Sequence, residues 1–174
     1  MTHEELFKEI KTRFNNVEEL RAPEGQIWGP ELQIKVPPQD IHGVCEHLKN
    51  SLTLAFDFPN FLTAIDWIQE NRFEIVYHLF STSHQHTVIL KVSLGRDNPE
   101  VASITDVWPG MDWQEREVYD LFGVRFQGHP NLKRILLWEG YPGWPLRKDY
   151  VHTRDKYDSG LEIGLPPPPA ETHG

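Results

Sequence analysis

RFEIVYHLFSTSHQHTVILKVSL, residues 72–94, sets the fold class. Phe73, Ile75, Tyr77 and Leu79 fall on one face of its first half, and Val88, Leu90, Val92 and Leu94 on one face of its second. A two-residue apolar period marks strands with one buried side. The polar stretch from Thr82 to His86 is the turn between them, so the segment predicts an antiparallel hairpin. Outward from it, residues 31–36 alternate as well. Leu32, Ile34 and Val36 oppose Glu31, Gln33 and Lys35, and Pro37-Pro38 ends the run. Residues 103–108 are expected to add a further strand. Residues 61–68 fit helix and strand equally.

Helices are read from a different period. Leu6, Phe7, Ile10 and Phe14 predict an amphipathic helix over 3–16, and Ile41, Val44, Cys45 and Leu48 predict one over 39–51. A third is expected over 113–122, with Asp112 as N-cap, Glu115 closing a capping box, and Gly123 ending it in the left-handed conformation. Residues 22–30, rich in Pro and Gly, read as a loop. Together these elements predict an α+β fold: a mainly antiparallel sheet with helices on one face, plus an extended C-terminal arm. The expected division is an α+β domain over 1–127 and a Pro- and aromatic-rich interaction arm over 128–174. The arm holds too many aromatics for a solvated linker; its end, 165–174, is expected to be mobile.

Composition removes whole classes of function. The 174 residues carry 17 Lys and Arg against 26 acids, a net charge of −9, which disfavours nucleic-acid binding. The longest apolar run, from Ile135 to Trp138, is far short of the ~18 residues of a membrane span, and the N-terminus has no apolar signal region. One cysteine, Cys45, excludes an internal disulfide, a CxxC pair and an iron–sulfur cluster held by this chain alone. It reads as a buried hydrophobe in a reducing compartment. Neither GxGxxG nor GxxxxGK[ST] occurs, so both common phosphate cradles are missing.

The candidate chemistry is thin. Asp112, Glu115, Glu117 and Asp120 crowd one helix, but Glu115 and Glu117 diverge by about 200° and cannot flank one bond. The acids read as caps and a solvated face, or as partners of Arg125, Lys133, Arg134 or a basic neighbour. His84 and His86 sit in a hairpin turn without a nearby third ligand, so an exposed turn is expected rather than a metal site. His129 before Pro130 reads as a hydrogen-bonding loop histidine. No GxSxG or triad is present. The segment from Trp144 to Tyr150 mixes aromatic, proline and cationic residues as interface anchors do.

One composite string goes further. Glu115-Arg116-Glu117-Val118-Tyr119-Asp120-Leu121-Phe122-Gly123-Val124 is followed by Gly128-His129-Pro130, then Leu132 and Arg134-Ile135-Leu136, then Pro145-Leu146-Arg147-Lys148-Asp149-Tyr150. It resembles the signature of the 30 kDa (C-type) subunit family of NADH:quinone oxidoreductase, respiratory complex I, which includes the photosynthetic J-type relatives. The likeness is densest over about 103–150. It implies a peripheral-arm subunit that binds no cofactor itself, in a complex that uses FMN or an equivalent input, iron–sulfur clusters and quinone. The implied neighbours are the large quinone-site subunit (the 49 kDa, D-type chain), the iron–sulfur subunits and, indirectly, the membrane arm. The implied location is the cytoplasmic or equivalent face of an energy-converting membrane.

On the same resemblance, the signature residues are structural and assembly residues at the partner interface, not catalytic ones. They are Glu115, Arg116, Glu117, Tyr119, Asp120, Phe122, Gly123, His129, Pro130, Arg134, Trp144, Leu146, Arg147, Asp149 and Tyr150. The family commonly has proline where this chain has Val151, and the run Leu165-Pro166-Pro167-Pro168-Pro169 stands in place of a long extension. The alternatives are the equivalent subunit of a membrane-bound hydrogenase or formate hydrogenlyase complex and, from another class, a hydrolase using the acids of 112–120.

Overall fold

A computed structural model describes residues 1–25 and 29–152 of the chain. The first helix, α1, runs His3–Arg13. Thr2 caps it: its hydroxyl accepts from the Glu5 amide, and Glu5 returns a bond to the Thr2 amide at 2.8 Å. It stops before residue 16, because Phe14 turns to an extended conformation and closes the last turn onto Ile10. Strands β1, Glu18–Leu20, and β2, Leu32–Lys35, follow. Helix α2, Ile41–Asn50, buries Ile41, Val44, Cys45 and Leu48 as its period predicts. The ambiguous segment resolves as strand β3, Phe58–Trp67. Strands β4, Arg72–Ser81, and β5, His86–Gly95, form the predicted hairpin in full register from Arg72↔Gly95 to Ser81↔His86.

The five strands run in the order β1-β2-β5-β4-β3. Every pairing is antiparallel except β2 with β5. Phe73, Ile75, Tyr77, Leu79, Val88, Leu90 and Val92 are fully buried and share one core with the apolar faces of α1 and α2. The opposite face of β3 presents Phe61, Ile65 and Trp67 outward. The helices therefore cover one face of a mainly antiparallel sheet.

Two expectations fail here. Residues 103–108 do not form a strand. The strand is β6, Glu100–Ala102, paired in parallel with β7, Arg125–Gln127, in a separate two-stranded sheet. After it the Ser103 amide bonds Gln127, and the amides of Val107 and Trp108 both turn back to Ile104. Asp112 is also not an N-cap. A 3₁₀ turn, Pro109–Met111, feeds directly into helix α3, Asp112–Phe122, so Asp112 is its first helical residue and Glu115 faces inward. The other end holds: Gly123 closes α3 with φ 74°.

Helix α3 also closes an open sheet edge. β3 is an edge strand, and the Leu62 amide donates to the Gln114 side-chain oxygen of α3. Covering an edge in this way removes a template for aberrant strand pairing.

The face assignment has a measurable consequence. Leu90→Ala, in the core at the centre of the sheet, is expected to cost about 2–5 kcal/mol in urea unfolding. Ile89→Ala, one residue away on the other face, is expected to cost about 1 kcal/mol or less. Equal losses would mean the faces are assigned wrongly.

Candidate functional site

The acids crowded on α3 separate into three environments. Asp120 is fully buried. One carboxylate oxygen accepts three successive backbone amides, Ile135 at 3.0 Å, Leu136 at 2.8 Å and Leu137 at 2.9 Å. The other takes the Arg134 guanidinium at 2.8 Å. Burial alone would raise its pKa, but these four donors outweigh it and hold the carboxyl below its ordinary value. Glu115 is equally buried, yet among the described residues no cation pairs with it. It accepts from the Ser103 hydroxyl and the Ile104 amide, each at 2.7 Å, and burial pushes its pKa up to about 7. Glu117 is exposed. Of the cations considered from sequence, Arg134 pairs with Asp120, whereas Arg125 pairs with Glu100.

The arm is laid down on this helix through backbone carbonyls. Arg134 also donates to the carbonyls of Tyr141 at 3.2 Å and Gly143 at 3.0 Å. Arg116, stacked over Trp113, donates to the carbonyls of Lys133 and Arg134. Asn131 donates its amide to His129 Nδ1, so Nε2 carries the proton and donates to the Asp112 carbonyl at 3.3 Å. Pro130 is exposed. Tyr119, Leu132, Arg134 and Leu137 line a hollow of about 400 Å³ between α3 and the arm.

Farther along, the arm crosses the end of α3. Trp144 lies against Gly123, where a Cβ would come within 2.4 Å of the indole. Gly123 is thus required twice, for its left-handed backbone and for this approach. Arg147 stacks over Trp144 at 4.2 Å and over Phe73 at 5.0 Å, and donates to the Phe122 carbonyl at 2.7 Å. Phe122 packs edge-on against Phe73. The Leu146 amide bonds the Leu121 carbonyl, while its side chain stays exposed. Tyr150 donates to the Tyr141 hydroxyl at 2.9 Å.

A latch not visible in the sequence fastens the last turn. Asp66 of β3 pairs with Arg96 at 2.9 Å and accepts the Lys148 amide at 2.8 Å; Arg96 also pairs with Asp149 at 2.6 Å. Asp66 sits at an inward position of β3, beside Leu62 and Ala64. A charge in that register is a signal, but only once the segment is known to be a strand. Most of the signature residues from Glu115 to Tyr150 are thus engaged within the chain itself, whereas Glu117, Pro130 and the Leu146 side chain are exposed. The predicted mobile end, 165–174, lies outside the described residues.

The other sequence candidates are structural. His84 and His86 stack on each other and bond the carbonyls of Leu52 and Leu54. Among the described residues, no group of three His, Cys, Asp or Glu is arranged to hold a metal ion. Cys45 is buried, which raises its thiol pKa and quiets it. Among the described residues, no helix is long and apolar enough to cross a membrane.

Residues 34–156 match the family described as the respiratory-chain NADH dehydrogenase 30 kDa subunit. Over 135 residues the chain is 45% identical to the C 2 chain of NADH-quinone oxidoreductase from Rhizobium meliloti (strain 1021), a span of 76% of this chain and 74% of that one. Among solved structures, the trypsin-resistant fragment of Nqo5 aligns with a TM-score of 0.62 at 25% identity, covering 76% of this chain and all (100%) of the fragment. A chain of the membrane-bound sulfane sulfur reductase, an archaeal respiratory membrane complex, shares the fold with a TM-score of 0.72 at 24% identity, over 97% of this chain and 96% of that one.

Two measurements test the clamp. Asp120→Asn leaves Arg134 without its counter-charge and is expected to cost about 3–5 kcal/mol. Because the folded pKa of Asp120 is lowered, its stabilisation is present above the unfolded pKa and is lost as pH falls through the folded one. Melting curves from pH 5 to pH 2 should therefore fall more steeply for the wild type than for Asp120→Asn. Gly123→Ala is expected to cost more than the ~1 kcal/mol of left-handed strain alone. Adding Trp144→Ala should return part of the loss in a double-mutant cycle; strictly additive losses would refute the contact.

Proposed function

Because this chain belongs to the family of the respiratory-chain NADH dehydrogenase 30 kDa subunit, we propose that it is a cofactor-free assembly subunit of the peripheral arm of a proton-pumping NADH (or ferredoxin):quinone oxidoreductase, seated beside the large quinone-site subunit. Electron transfer and proton pumping belong to the assembly; this chain contributes a rigid surface at the cytoplasmic or equivalent face of the membrane.

One observation carries the reading. The polar groups of α3 and the arm are largely consumed internally, while apolar side chains of the same two elements point outward. Trp113 is 63% exposed, Leu136 63%, Leu146 48% and Trp138 40%. Exposed aromatic and aliphatic side chains over a preformed scaffold are what a partner buries. The hydrolase reading loses support, since Glu115 is fully buried while Glu117 of the same helix is exposed.

The test is purification of the complex through this chain, with its companions identified by mass spectrometry. A large quinone-site subunit and iron–sulfur subunits are expected. Nickel in the purified complex would favour the hydrogenase alternative instead. The chain, once separated, should carry neither flavin nor iron, and stoichiometric iron on it would overturn the proposal. Trp113→Ala and Leu146→Ala are expected to weaken association by about 1–3 kcal/mol each while leaving the fold intact. If both variants co-purify with partners as the wild type does, the interface lies elsewhere. Trp144→Ala and Arg147→Ala should instead loosen the arm itself, seen as lowered melting of the chain alone.

A further inference from the structure

Two buried carboxyls on one helix have opposite surroundings. Asp120 has four donors, one of them a guanidinium. Glu115 has two neutral donors and, among the described residues, no Lys, Arg or His within ion-pair distance. The groups that face it from each neighbouring element are neutral or acidic: Cys45 of α2, Tyr77 of β4, Ser103, Thr105 and Asp106 after β6, and Asp112 of its own helix. Asp106 and Asp112 have partners of their own: Asp106 is hydrogen-bonded to His42 at 2.8 Å, and Asp112 lies 3.7 Å from the Arg116 guanidinium. An ionised carboxylate without a partner is costly in such a site, and a neutral acid is not.

We propose that Glu115 is a proton-binding site of the folded chain, its carboxyl group and the Ser103–Thr105 hydroxyl pair taking up and releasing one proton inside the closed core without any heavy atom moving. The bond directions allow both states. Ser103 Oγ lies 2.7 Å from Glu115 Oε2 and 2.8 Å from Thr105 Oγ1. With the carboxylate ionised, Thr105 donates to Ser103 and Ser103 donates to Glu115. With the acid formed, Glu115 donates to Ser103 and Ser103 donates to Thr105. The Ile104 amide donates to Oε1 in either state.

The proton balance closes. A solvent proton joins the Thr105 oxygen, the Thr105 proton passes to Ser103, and the Ser103 proton passes to Glu115. Each hydroxyl ends with one proton, and the site changes from −1 to neutral. Thr105, 8% exposed, is the outer end of the chain, against 0% for Glu115. Burial, the largest influence, brings the carboxyl to about 7, so both states are populated at neutral pH. The site is a property of the chain itself and does not rest on the assembly reading.

The test follows the Glu115 side-chain carboxyl carbon by NMR in the full chain between pH 4 and pH 9, assigned by its loss in Glu115→Gln. A midpoint near pH 7 is expected, against 4.5 for an ordinary glutamate. A midpoint below pH 6 overturns the proposal. Should Glu115→Gln fail to fold, Ser103→Ala supplies the assignment and a second readout. Losing the hydroxyl that supports the ionised form must raise the midpoint, and an unmoved midpoint overturns the proposal. A folded Glu115→Gln adds a stability check. A raised folded pKa means that the native state holds the extra proton between the two values, so wild-type stability falls relative to Glu115→Gln as pH rises from 5 to 8. A melting difference constant across that range also overturns the proposal.

Discussion

The Asp120 carboxylate in its ring of donors organises everything that follows α3. Three amides in sequence cannot point at one oxygen unless residues 135–137 adopt a single curled conformation. Arg134, fixed by the other oxygen, then has its remaining donors free for the carbonyls of Tyr141 and Gly143. One negative charge thereby shapes about ten residues with no regular secondary structure. Buried backbone polar groups must find partners, and here a side chain does for the arm what a ladder does for a strand.

Helix α3 is the shared support. Glu115 and Asp120 are five residues apart and diverge by about 140° on the helix. One grips the segment after β6 and the other grips the arm. Gln114 closes the open edge of β3 from the same helix, and Gly123 lets Trp144 pass its end. Three irregular or edge segments, the arm at two places, are thus tied to one element of eleven residues and the glycine that ends it. This division of labour fits a subunit of a respiratory complex. On the assembly role proposed above, its polar groups would hold an outward-facing apolar surface in place and need not touch substrate.

The two acids illustrate how environment sets chemistry. Residue type is nearly the same, yet a guanidinium and three amides outweigh burial and lower the pKa of one, while burial outweighs a hydroxyl and one amide and raises that of the other to about 7. Their separation depends on which loop each meets. Neither loop is specified by the spacing of acids along α3, which is why the sequence allowed capping, solvation and ion pairing together. The Asp66–Arg96–Asp149 latch was hidden for a related reason: its members lie in three distant segments, and β3 itself was ambiguous in sequence.

Features legible in the chain before folding were local or periodic. The hairpin of β4 and β5, the buried faces of α1 and α2 and the glycine end of α3 follow from apolar period and backbone conformation, properties of neighbouring residues. The family too was legible, as an ordered string between Glu115 and Tyr150. Three-dimensional packing was needed for the parallel pairing of β2 with β5, the inward turn of Glu115 and the partners of Asp120. Each of these depends on which distant backbone arrives beside the residue. Burial and hydrogen-bond geometry act through space, and a one-dimensional pattern carries no record of that approach.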